Sequence, residues 1–389
     1  MIATNISKRF FLNAIEKAEH GSFSLTTPEG IKYDFEGKHK GPKADLVLHE
    51  WEALNAFLFK GDIGIAETYR DGKWDSSDLE ALMHFGLINV EALKRVVYGS
   101  EFYRMFSRLA YLLKPNSLKG SKRNISAHYD LGNHFYSLWL DETMTYSAAI
   151  FNNEELPLPN AQHNKYDRML DLIGKSGELL EIGCGWGGLA ERAIDKYDHS
   201  VKGLTLSEEQ HKYAKQRLHK YNGHANIELQ DYRHEQKKFD NIVSIEMFEA
   251  VGEKYWDTYF QKISSCLKPK GKALIQTITV DDKYFESYRS GGDMIRSFIF
   301  PGGMLPSKEK FKHHANKANL KITDNYAFGK DYAKTLRHWL YSFNSKEKEL
   351  DAMGFDNKFR RIWRLYLATC AASFEVGRTD VVQMELQHA

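Results

Sequence analysis

From residue 175 onward, the sequence alternates between short apolar stretches and longer amphipathic ones, and this alternation constrains the fold more than any other feature. Five apolar stretches predict strands, at 178–182, 201–206, 227–229, 241–246 and 273–278. Three amphipathic stretches predict helices, at 189–196, 208–219 and 255–267. Repeated strand–helix units give a mostly parallel sheet with helices on both faces. The pattern therefore predicts an α/β, Rossmann-like sheet with ligand sites at the carboxyl ends of its strands.

A glycine-rich turn follows the first of these strands. It reads Glu181-Ile182-Gly183-Cys184-Gly185-Trp186-Gly187-Gly188, and its glycines let the backbone approach a ligand closely. The glycine spacing is tighter than in dinucleotide-binding enzymes. A carboxylate at Glu181 suits the cationic amino group of a methionine moiety better than it suits a pyrophosphate. The turn therefore predicts a site for the methyl donor S-adenosylmethionine, with a structural turn or an NAD loop as the alternatives.

Polar residues follow the next two strands. Thr205-Leu206-Ser207 and Gln210 come after the second strand, where many nucleotide sites have an acid, and their hydroxyls and amide can still hydrogen-bond a ribose. Gln230 and Asp231 follow the third strand, in position to accept from an adenine amino group. Each of these residues alone is typical of a cap or turn, but their joint position at strand ends favours a cofactor site.

The first 100 residues predict a small α+β domain. Short strands at 22–26, 31–35 and 44–48 are separated by turn residues, and a helix is predicted at 51–59. A basic, aromatic-rich stretch at 101–123 predicts a linker helix that either lies on an anionic lipid surface or packs between domains. We therefore expect an N-terminal domain at 1–100, the linker helix at 101–123 and a methyltransferase domain at 124–389.

Composition argues against several classes of protein. Three cysteines without a CxxC pair argue against a disulfide framework and a structural metal site, and they suit a reducing cytoplasm. A net charge of +2 over 389 residues and the lack of a recognised reading motif argue against nucleic-acid binding. The sequence predicts neither a signal peptide nor a membrane-spanning segment, so we expect any membrane contact to be peripheral.

Several motifs, in the same order along the chain, resemble the cyclopropane-fatty-acyl-phospholipid synthase family. They include SAHYDLGN at 126–133, MTYS at 144–147, EIGCGWGG at 181–188, FEAVG at 248–252, IFPGGMLP at 299–306 and FGKDY at 328–332. The stretch GDIGIAETY at 61–69 resembles the small N-terminal domain of family members that act on intact phospholipids. Several motifs in the right order are more specific than any one of them.

The resemblance implies methyl transfer from S-adenosylmethionine to the double bond of an unsaturated acyl chain of membrane phospholipid. The product is a cyclopropane or methyl-branched chain, made by an enzyme at the cytoplasmic face of the membrane. Matching positions imply donor contacts at Tyr146, Ser147, Gly183, Gly185, Thr205, Leu206, Ser207, Gln210, Gln230 and Asp231. Related enzymes methylate small amines, so a non-lipid acceptor is the alternative, and the oligomeric state is open between monomer and homodimer.

The resemblance also implies a base, which in the family is a bicarbonate ion held by five positions. Glu249, the backbone at Ile278, and Tyr332 match, whereas Ala148 replaces a cysteine and Gln276 replaces a histidine. Gln276 is neutral at every pH. Either it holds the same ion by neutral hydrogen bonds, or burial raises the pKa of Glu249 so that this residue is the base itself. These changes leave ring closure and methyl branching both open.

Two further sets of residues have candidate roles. Methyl transfer to an alkene leaves a carbocation, which aromatic faces stabilise, and Tyr146, Phe248, Tyr332 and Trp339 are candidates to surround it. Cys370 matches a cysteine once suspected to be catalytic in such enzymes. It lies in the apolar helical pattern at 365–372, and we predict that it packs there as an inert thiol.

Overall fold

The computed structural model describes residues 2–103, 131–221 and 223–389, which form two compact units. The small-sheet unit consists of residues 2–103, 286–301 and 344–378. The large-sheet unit consists of residues 131–221, 223–285, 302–343 and 379–389. The predicted linker helix beyond Tyr103, and residues 126–130 of the first motif, lie outside the described residues.

The helices and strands are numbered separately in chain order. The helices are α1 (Ile2–Ile15), α2 (Glu52–Lys60), α3 (Asp62–Arg70), α4 (Leu79–Ile88), α5 (Val90–Tyr98), α6 (Asn133–Ser137), α7 (Leu158–Ile173), α8 (Gly188–Tyr197), α9 (Glu208–Leu218), α10 (Trp256–Cys266), α11 (Asp282–Arg289), α12 (Met294–Phe298), α13 (Lys308–Lys317), α14 (Gly329–Ser345), α15 (Glu347–Ala352) and α16 (Asn357–Glu375). The strands are β1 (His20–Thr26), β2 (Lys32–Glu36), β3 (His39–Leu48), β4 (Trp74–Asp75), β5 (Gly177–Ile182), β6 (His199–Thr205), β7 (Ala225–Leu229), β8 (Phe239–Ile245), β9 (Leu267–Val280), β10 (Leu320–Ala327) and β11 (Thr379–His388).

The large-sheet unit has the predicted α/β, Rossmann-like fold. Its seven strands lie in the order β10-β11-β9-β8-β5-β6-β7. The five strands from β9 to β7 are parallel, whereas β11 runs antiparallel to β9 and β10. β5 is buried along its second half because it lies inside the sheet, with apolar residues of α7 and α8 packed against it. The carboxyl ends of β5, β6, β7 and β8 consequently meet at one edge.

The small-sheet unit contains a four-stranded sheet in the order β2-β1-β3-β4. Alternate residues of β1 are buried, including Phe23 and Leu25, as expected for a strand with one face on a core. Both Phe23 and Phe57 of α2 contact Phe11 of α1 edge to face, with ring centroids 6.2 and 6.4 Å from it. The predicted α+β character of the first 100 residues is therefore present.

The structure divides the chain differently from the predicted boundary at residue 124. Residues 286–301 and 344–378 group with the small-sheet unit, although the sequence analysis placed them in the methyltransferase domain. Arg361 of α16 shows the physical reason. Its guanidinium donates to the backbone oxygens of Tyr69 and Trp74, lies 3.8 Å from the Tyr69 ring centroid and pairs with Asp75 at 2.8 Å. These long-range contacts leave no periodic signal in the sequence.

We predict that Arg361→Ala lowers the free energy of unfolding by about 2 kcal/mol, because the substitution leaves backbone oxygens of Tyr69 and Trp74 without a charged donor. Urea denaturation followed by circular dichroism measures this change. Lys358→Ala is the matched control on the same helix. Its exposed ammonium lies 3.5 Å from Asp71 and should contribute less than about 0.5 kcal/mol. Equal effects of the two substitutions would contradict the structural role of Arg361.

Candidate functional site

The glycine turn after β5 has a backbone that requires glycine at three positions. Gly183, Gly185 and Gly187 have φ angles of +81°, +51° and +82°, a region that other residues rarely adopt. A Cβ at Gly183 would also lie 2.8 Å from Cγ of Met247. The amides of Gly183 and Cys184 both donate to the Leu204 oxygen at 2.9 Å, which ties the turn to β6. The turn is therefore a rigid cradle at the edge of the sheet.

A pocket opens at this edge, within the large-sheet unit. Ten of the eleven residues predicted to bind the methyl donor line it, namely Tyr146, Ser147, Glu181, Gly183, Gly185, Thr205, Leu206, Gln210, Gln230 and Asp231. Ser207, the eleventh, is the N-cap of α9, where its hydroxyl accepts from the Gln210 amide at 3.2 Å. The sequence therefore located the pocket, and the contacts of each residue with a donor stay a prediction.

Glu181 places a carboxylate inside the pocket. Its side chain is buried, and its Oε2 atom has no hydrogen-bond partner among the described residues. Burial raises the pKa of Glu181 to about 8, although Arg217 and Lys165 oppose this shift. A buried carboxylate oxygen without a partner costs free energy unless a ligand satisfies it. The site therefore fits the cationic amino group of a methyl donor.

The polar groups at the neighbouring strand ends already interact with one another. The Thr205 hydroxyl donates to Oε1 of Gln210 at 2.9 Å. The Asp231 carboxylate accepts from Arg233 at 2.8 and 2.6 Å. Burial opposes ionisation of Asp231, but the hydrogen bonds from Arg233 dominate and lower its pKa. Asp231 is therefore an anion, and its Oδ2 atom retains a lone pair for a ligand amino group.

The segment at 143–148 closes another side of the pocket and is held by buried hydrogen bonds. The Thr145 hydroxyl lies 2.7 Å from the Tyr166 hydroxyl. The Lys165 ammonium donates to Oγ of Ser147 at 2.6 Å and to Oε1 of Gln162 at 2.7 Å. Because Lys165 is fully buried, desolvation lowers its pKa to about 7. This lysine was not among the residues singled out in the sequence.

Four of the five residues with a candidate catalytic role, all except Cys370, lie in the large-sheet unit. Gln276 and Ile278 are on β9, Glu249 follows β8, and Tyr332 is on α14. Glu249 accepts from the Ile278 amide and, at 2.9 Å, from the Thr277 hydroxyl. Burial, and secondarily the charge of Glu246, raises the pKa of Glu249 to about 8. The predicted upward shift at Glu249 is therefore present, although Glu249 is not among the residues that line the pocket.

Cys370, the fifth position, belongs to the small-sheet unit. It lies on α16, in the helix that the apolar pattern at 365–372 predicted. Burial raises the pKa of its thiol to about 12, so the thiol is protonated at neutral pH. A thiol in that state is a poor nucleophile, in keeping with the predicted packing role.

Glu246 is an acidic residue that connects two of the predicted catalytic residues, Gln276 and Tyr332, with the backbone at Ala148. Its Oε1 atom accepts from the Ala148 amide and from Nε2 of Gln276, both at 2.8 Å. Its Oε2 atom accepts from the Tyr332 hydroxyl at 2.7 Å. Glu246 also lines the pocket that contains Glu181. Burial raises the pKa of Glu246, and its hydrogen bonds and the charge of Lys165 oppose that shift.

A chain of hydrogen bonds fixes the orientation of the Gln276 amide. Arg168 donates to Oε1 of Gln383 at 3.0 Å, so the amide nitrogen of Gln383 faces the other way. That nitrogen donates to Oε1 of Gln276 at 2.9 Å. Gln276 must therefore present Nε2 to Glu246, because arginine has no acceptor and each glutamine amide has only one acceptor atom.

Comparison with known proteins relates this site to a family. Residues 116–384 match the family model described as mycolic acid cyclopropane synthetase. The chain belongs to that family. It is 35% identical over 370 residues to tuberculostearic acid methyltransferase UfaA1 of Mycobacterium tuberculosis, covering 89% of this chain and 84% of the relative. It is 34% identical over 345 residues to cyclopropane-fatty-acyl-phospholipid synthase of Escherichia coli, covering 88% and 87% of the two chains.

A solved structure agrees with this assignment. The mycolic acid cyclopropane synthase CmaA1, in complex with SAH and CTAB, is 32% identical and has a TM-score of 0.64. The similarity covers 71% of this chain and 99% of CmaA1. The protein is therefore an S-adenosylmethionine-dependent methyltransferase of lipids, which confirms the cofactor, the fold and the reaction class predicted from the sequence.

Glu246 is not among the site residues predicted from the sequence. The apolar pattern predicts a strand at 241–246, with Glu246 as its last residue. The structure ends β8 at Ile245 and gives Glu246 a φ of +46°. An acidic residue directly after a buried parallel strand is a signal that could have found it, since the strand ends of this family's sheet meet at the ligand site.

The aromatic candidates separate into two groups. Tyr146 and Tyr332 both contact Trp339, with ring centroids 5.2 and 6.0 Å away, and Tyr332 also binds Glu246. Phe248 instead lies in the core among Trp256, Tyr259, Phe260 and Phe311. The structure therefore leaves Tyr146, Tyr332 and Trp339 as the candidates near the carboxylate.

We predict that Glu181→Gln weakens binding of S-adenosylmethionine about 10- to 100-fold, because the substitution replaces a charge-assisted hydrogen bond to a cation with a neutral one. Isothermal titration calorimetry measures the affinity. With the wild type, binding should also release a proton at pH 7, since Glu181 has a pKa of about 8 before it meets the cation. Titrations in buffers of different ionisation enthalpy detect that proton.

Glu178→Gln is the matched control for this experiment. Glu178 lies on the same strand, but its exposed carboxylate pairs with surface lysines. The Glu178→Gln substitution should change neither the affinity for S-adenosylmethionine nor the proton release. Unchanged affinity in Glu181→Gln would show that Glu181 does not receive the amino group.

Proposed function

We propose that this enzyme transfers the methyl group of S-adenosylmethionine to the double bond of an unsaturated acyl chain of a membrane phospholipid. The product is a cyclopropane or a methyl-branched chain. One observation carries this proposal: the glycine turn and the buried Glu246 line the same pocket. Glu246 accepts a hydrogen bond from Tyr332, which packs against Trp339.

The residues of the pocket support specific roles in donor binding. Glu181 receives the amino group, and the backbone at Gly183 and Gly185 lies against the methionine portion. Thr205, Leu206, Ser207 and Gln210 bind the ribose, while Gln230 and Asp231 bind the adenine. Bound in this way, S-adenosylmethionine supplies an electrophilic methyl group. Tyr146 and Ser147 cover the side of the pocket that faces the acceptor.

The aromatic residues would stabilise the carbocation that forms during the reaction. An alkene is a weak nucleophile, so it must be held close to the methyl group in a dry site. The faces of Tyr146 and Trp339 stabilise the developing carbocation without capturing it as a free hydroxyl would. The Tyr332 hydroxyl is engaged with Glu246, which keeps this oxygen from adding to the cation.

A membrane surface is the expected source of the acceptor. Ile6, Phe10, Phe59 and Phe102 of the small-sheet unit expose 65%, 47%, 46% and 68% of their surface. The basic, aromatic-rich stretch at 101–123 includes Phe102. Exposed large apolar residues and basic, aromatic-rich segments are both typical of proteins that bind anionic lipid. In the described ranges, no helix meets the length and hydropathy needed to cross a membrane. These features support peripheral association.

The test is methyl transfer from methyl-deuterated S-adenosylmethionine to vesicles of dioleoyl phosphatidylglycerol and dioleoyl phosphatidylethanolamine. Lipid mass spectrometry reads the product. Ring closure removes one deuterium from the transferred methyl and consumes the double bond. Methyl branching keeps all three deuteriums and retains a double bond. We expect deuterium in the oleoyl chains in either case.

Two control substrates sharpen the result. Dipalmitoyl vesicles lack the double bond and should remain unlabelled. Free oleic acid tests whether the phospholipid itself is required. Labelling of the free acid alone would contradict the phospholipid proposal. An unchanged acyl profile with the donor bound would contradict acyl methylation altogether.

A further inference from the structure

We propose that the side chain of Glu246 is the resident base of this active site, and that no bicarbonate ion binds there. The inference deepens the proposed function, on which it rests for the acceptor. It concerns the group that accepts the proton after methyl transfer.

The donors that a bicarbonate ion would need are already engaged by carboxylates of the chain. Glu246 takes the Ala148 amide, Nε2 of Gln276 and the Tyr332 hydroxyl, with distances of 2.7 to 2.8 Å. Glu249 takes the Ile278 amide. An additional anion would find no free donor at these positions and would stand beside two carboxyl groups. The residues present therefore do not fit bicarbonate.

Glu246 is one of the residues that line the pocket beside the glycine turn. Three carboxylates line this pocket among the described residues, namely Glu181, Asp231 and Glu246. Asp231 is paired with Arg233, and Glu181 lies at the glycine turn. Only Glu246 of these three contacts the aromatic residues near the acceptor, through Tyr332. Glu246 is therefore the carboxylate next to the aromatic residues against which, in the proposed function, the acyl chain reacts.

The hydrogen-bond pattern leaves Glu246 able to accept a proton. Oε1 has two donors, from Ala148 and Gln276, which fill its two lone pairs. Oε2 has one donor, from Tyr332, and keeps a second lone pair. The charge of Lys165 favours the anion, while burial makes it more basic. Burial, and secondarily the charge of Glu246, raises the pKa of Glu249.

The backbone conformation of Glu246 indicates that a glutamate is retained at this position for its function. Its φ of +46° is a conformation that glycine adopts easily and glutamate does not. Its amide also donates to the Gln276 oxygen at 2.8 Å, which fixes the turn against β9. A residue whose backbone is held in an unfavourable conformation beside a pocket is typical of a functional site.

The proposed reaction is a methyl transfer followed by a proton transfer to Glu246. The π electrons of the alkene form a bond to the methyl carbon while the carbon–sulfur bond breaks, and sulfur keeps the electron pair of that bond. A carbocation remains on the acyl chain. Oε2 of Glu246 then takes a proton from the transferred methyl, whose electrons close the ring, or from a neighbouring carbon, whose electrons form a double bond. The proton leaves Glu246 for solvent before the next turnover.

The experiment compares the wild type with Glu246→Gln and Glu246→Gly in carbon-dioxide-free buffer and in the same buffer with added bicarbonate. The full-length enzyme acts on the dioleoyl vesicles and, in parallel, on a bacterial total lipid extract. We expect the wild-type rate to be unaffected by bicarbonate. Glu246→Gln should be about 100-fold slower in both buffers, because the amide fills the same space without accepting a proton.

Glu246→Gly is the informative variant, because glycine suits the backbone and leaves the three donors free. It should be about 100-fold slower without bicarbonate and at least about 10-fold faster when bicarbonate is added. Calorimetric binding of S-adenosylmethionine, unchanged in both variants, shows that the pocket is folded. Glu178→Gln, on the surface of the same unit, should behave as the wild type.

Two results would overturn the proposal. One is a wild-type rate that falls at least about 10-fold when bicarbonate is removed and recovers when it is returned. The other is a Glu246→Gln enzyme that keeps more than about a third of the wild-type rate, since loss of a general base costs far more. Labelling of the lipid extract but not of the vesicles would refute only the phospholipid acceptor, because the comparison of variants continues on the extract.

A binding measurement tests the proposal even if neither lipid is methylated. Carbon-13 NMR of labelled bicarbonate detects its binding to enzyme saturated with S-adenosylmethionine, through line broadening. We expect no broadening with the wild type and clear broadening with Glu246→Gly. Broadening with the wild type that Glu246→Gly abolishes would show that the ion binds with Glu246 present, and would overturn the proposal.

Discussion

The parallel arrangement of β5, β6, β7 and β8 is the constraint on which the active site depends. Parallel strands connected by helices bring all their carboxyl ends to one edge, where the backbone leaves the sheet in different directions. Glu181 comes from the end of β5 and Glu246 directly follows β8. Each is remote from the other in sequence, but the sheet places both at one pocket. The glycine turn after β5 then leaves room for a ligand between them.

This placement concentrates ionisable groups in a region of low polarity. Lys165, Glu181, Glu246 and Glu249 are all desolvated, and burial is the largest influence on the pKa of each. The three carboxyl groups among them differ in how many hydrogen bonds offset the cost of burial. Glu246 has three hydrogen bonds, whereas Glu181 and Glu249 each keep one oxygen without a partner in the described structure. Unequal environments suit chemically similar groups to different roles, and we propose that Glu181 binds a cation and Glu246 accepts a proton.

Local sequence signals were sufficient for the parts of the fold that depend on local physics. The five parallel strands and the glycine turn follow from apolar periodicity and from backbone conformations that need glycine. The donor pocket follows because strand ends meet at one edge. The grouping of α16 with the small sheet could not be predicted, because it depends on Arg361 contacts to residues almost three hundred positions away. The role of Glu246 was missed because only its three-dimensional hydrogen bonds distinguish it from the end of a strand.

The changes at residues 148 and 276 become intelligible together once Glu246 is considered. Taken singly, the loss of a histidine at 276 removes a positive charge that would hold a free anion. A carboxylate that belongs to the chain needs no positive charge to hold it in the site. It is covalently attached, so no translational entropy is lost when it occupies the site. A neutral hydrogen-bond donor such as Gln276 is then sufficient, provided that its amide has a fixed orientation. The chain from Arg168 through Gln383 gives Gln276 that fixed direction, which an isolated glutamine would not have. At residue 148 the backbone amide alone makes the contact, so alanine is sufficient there.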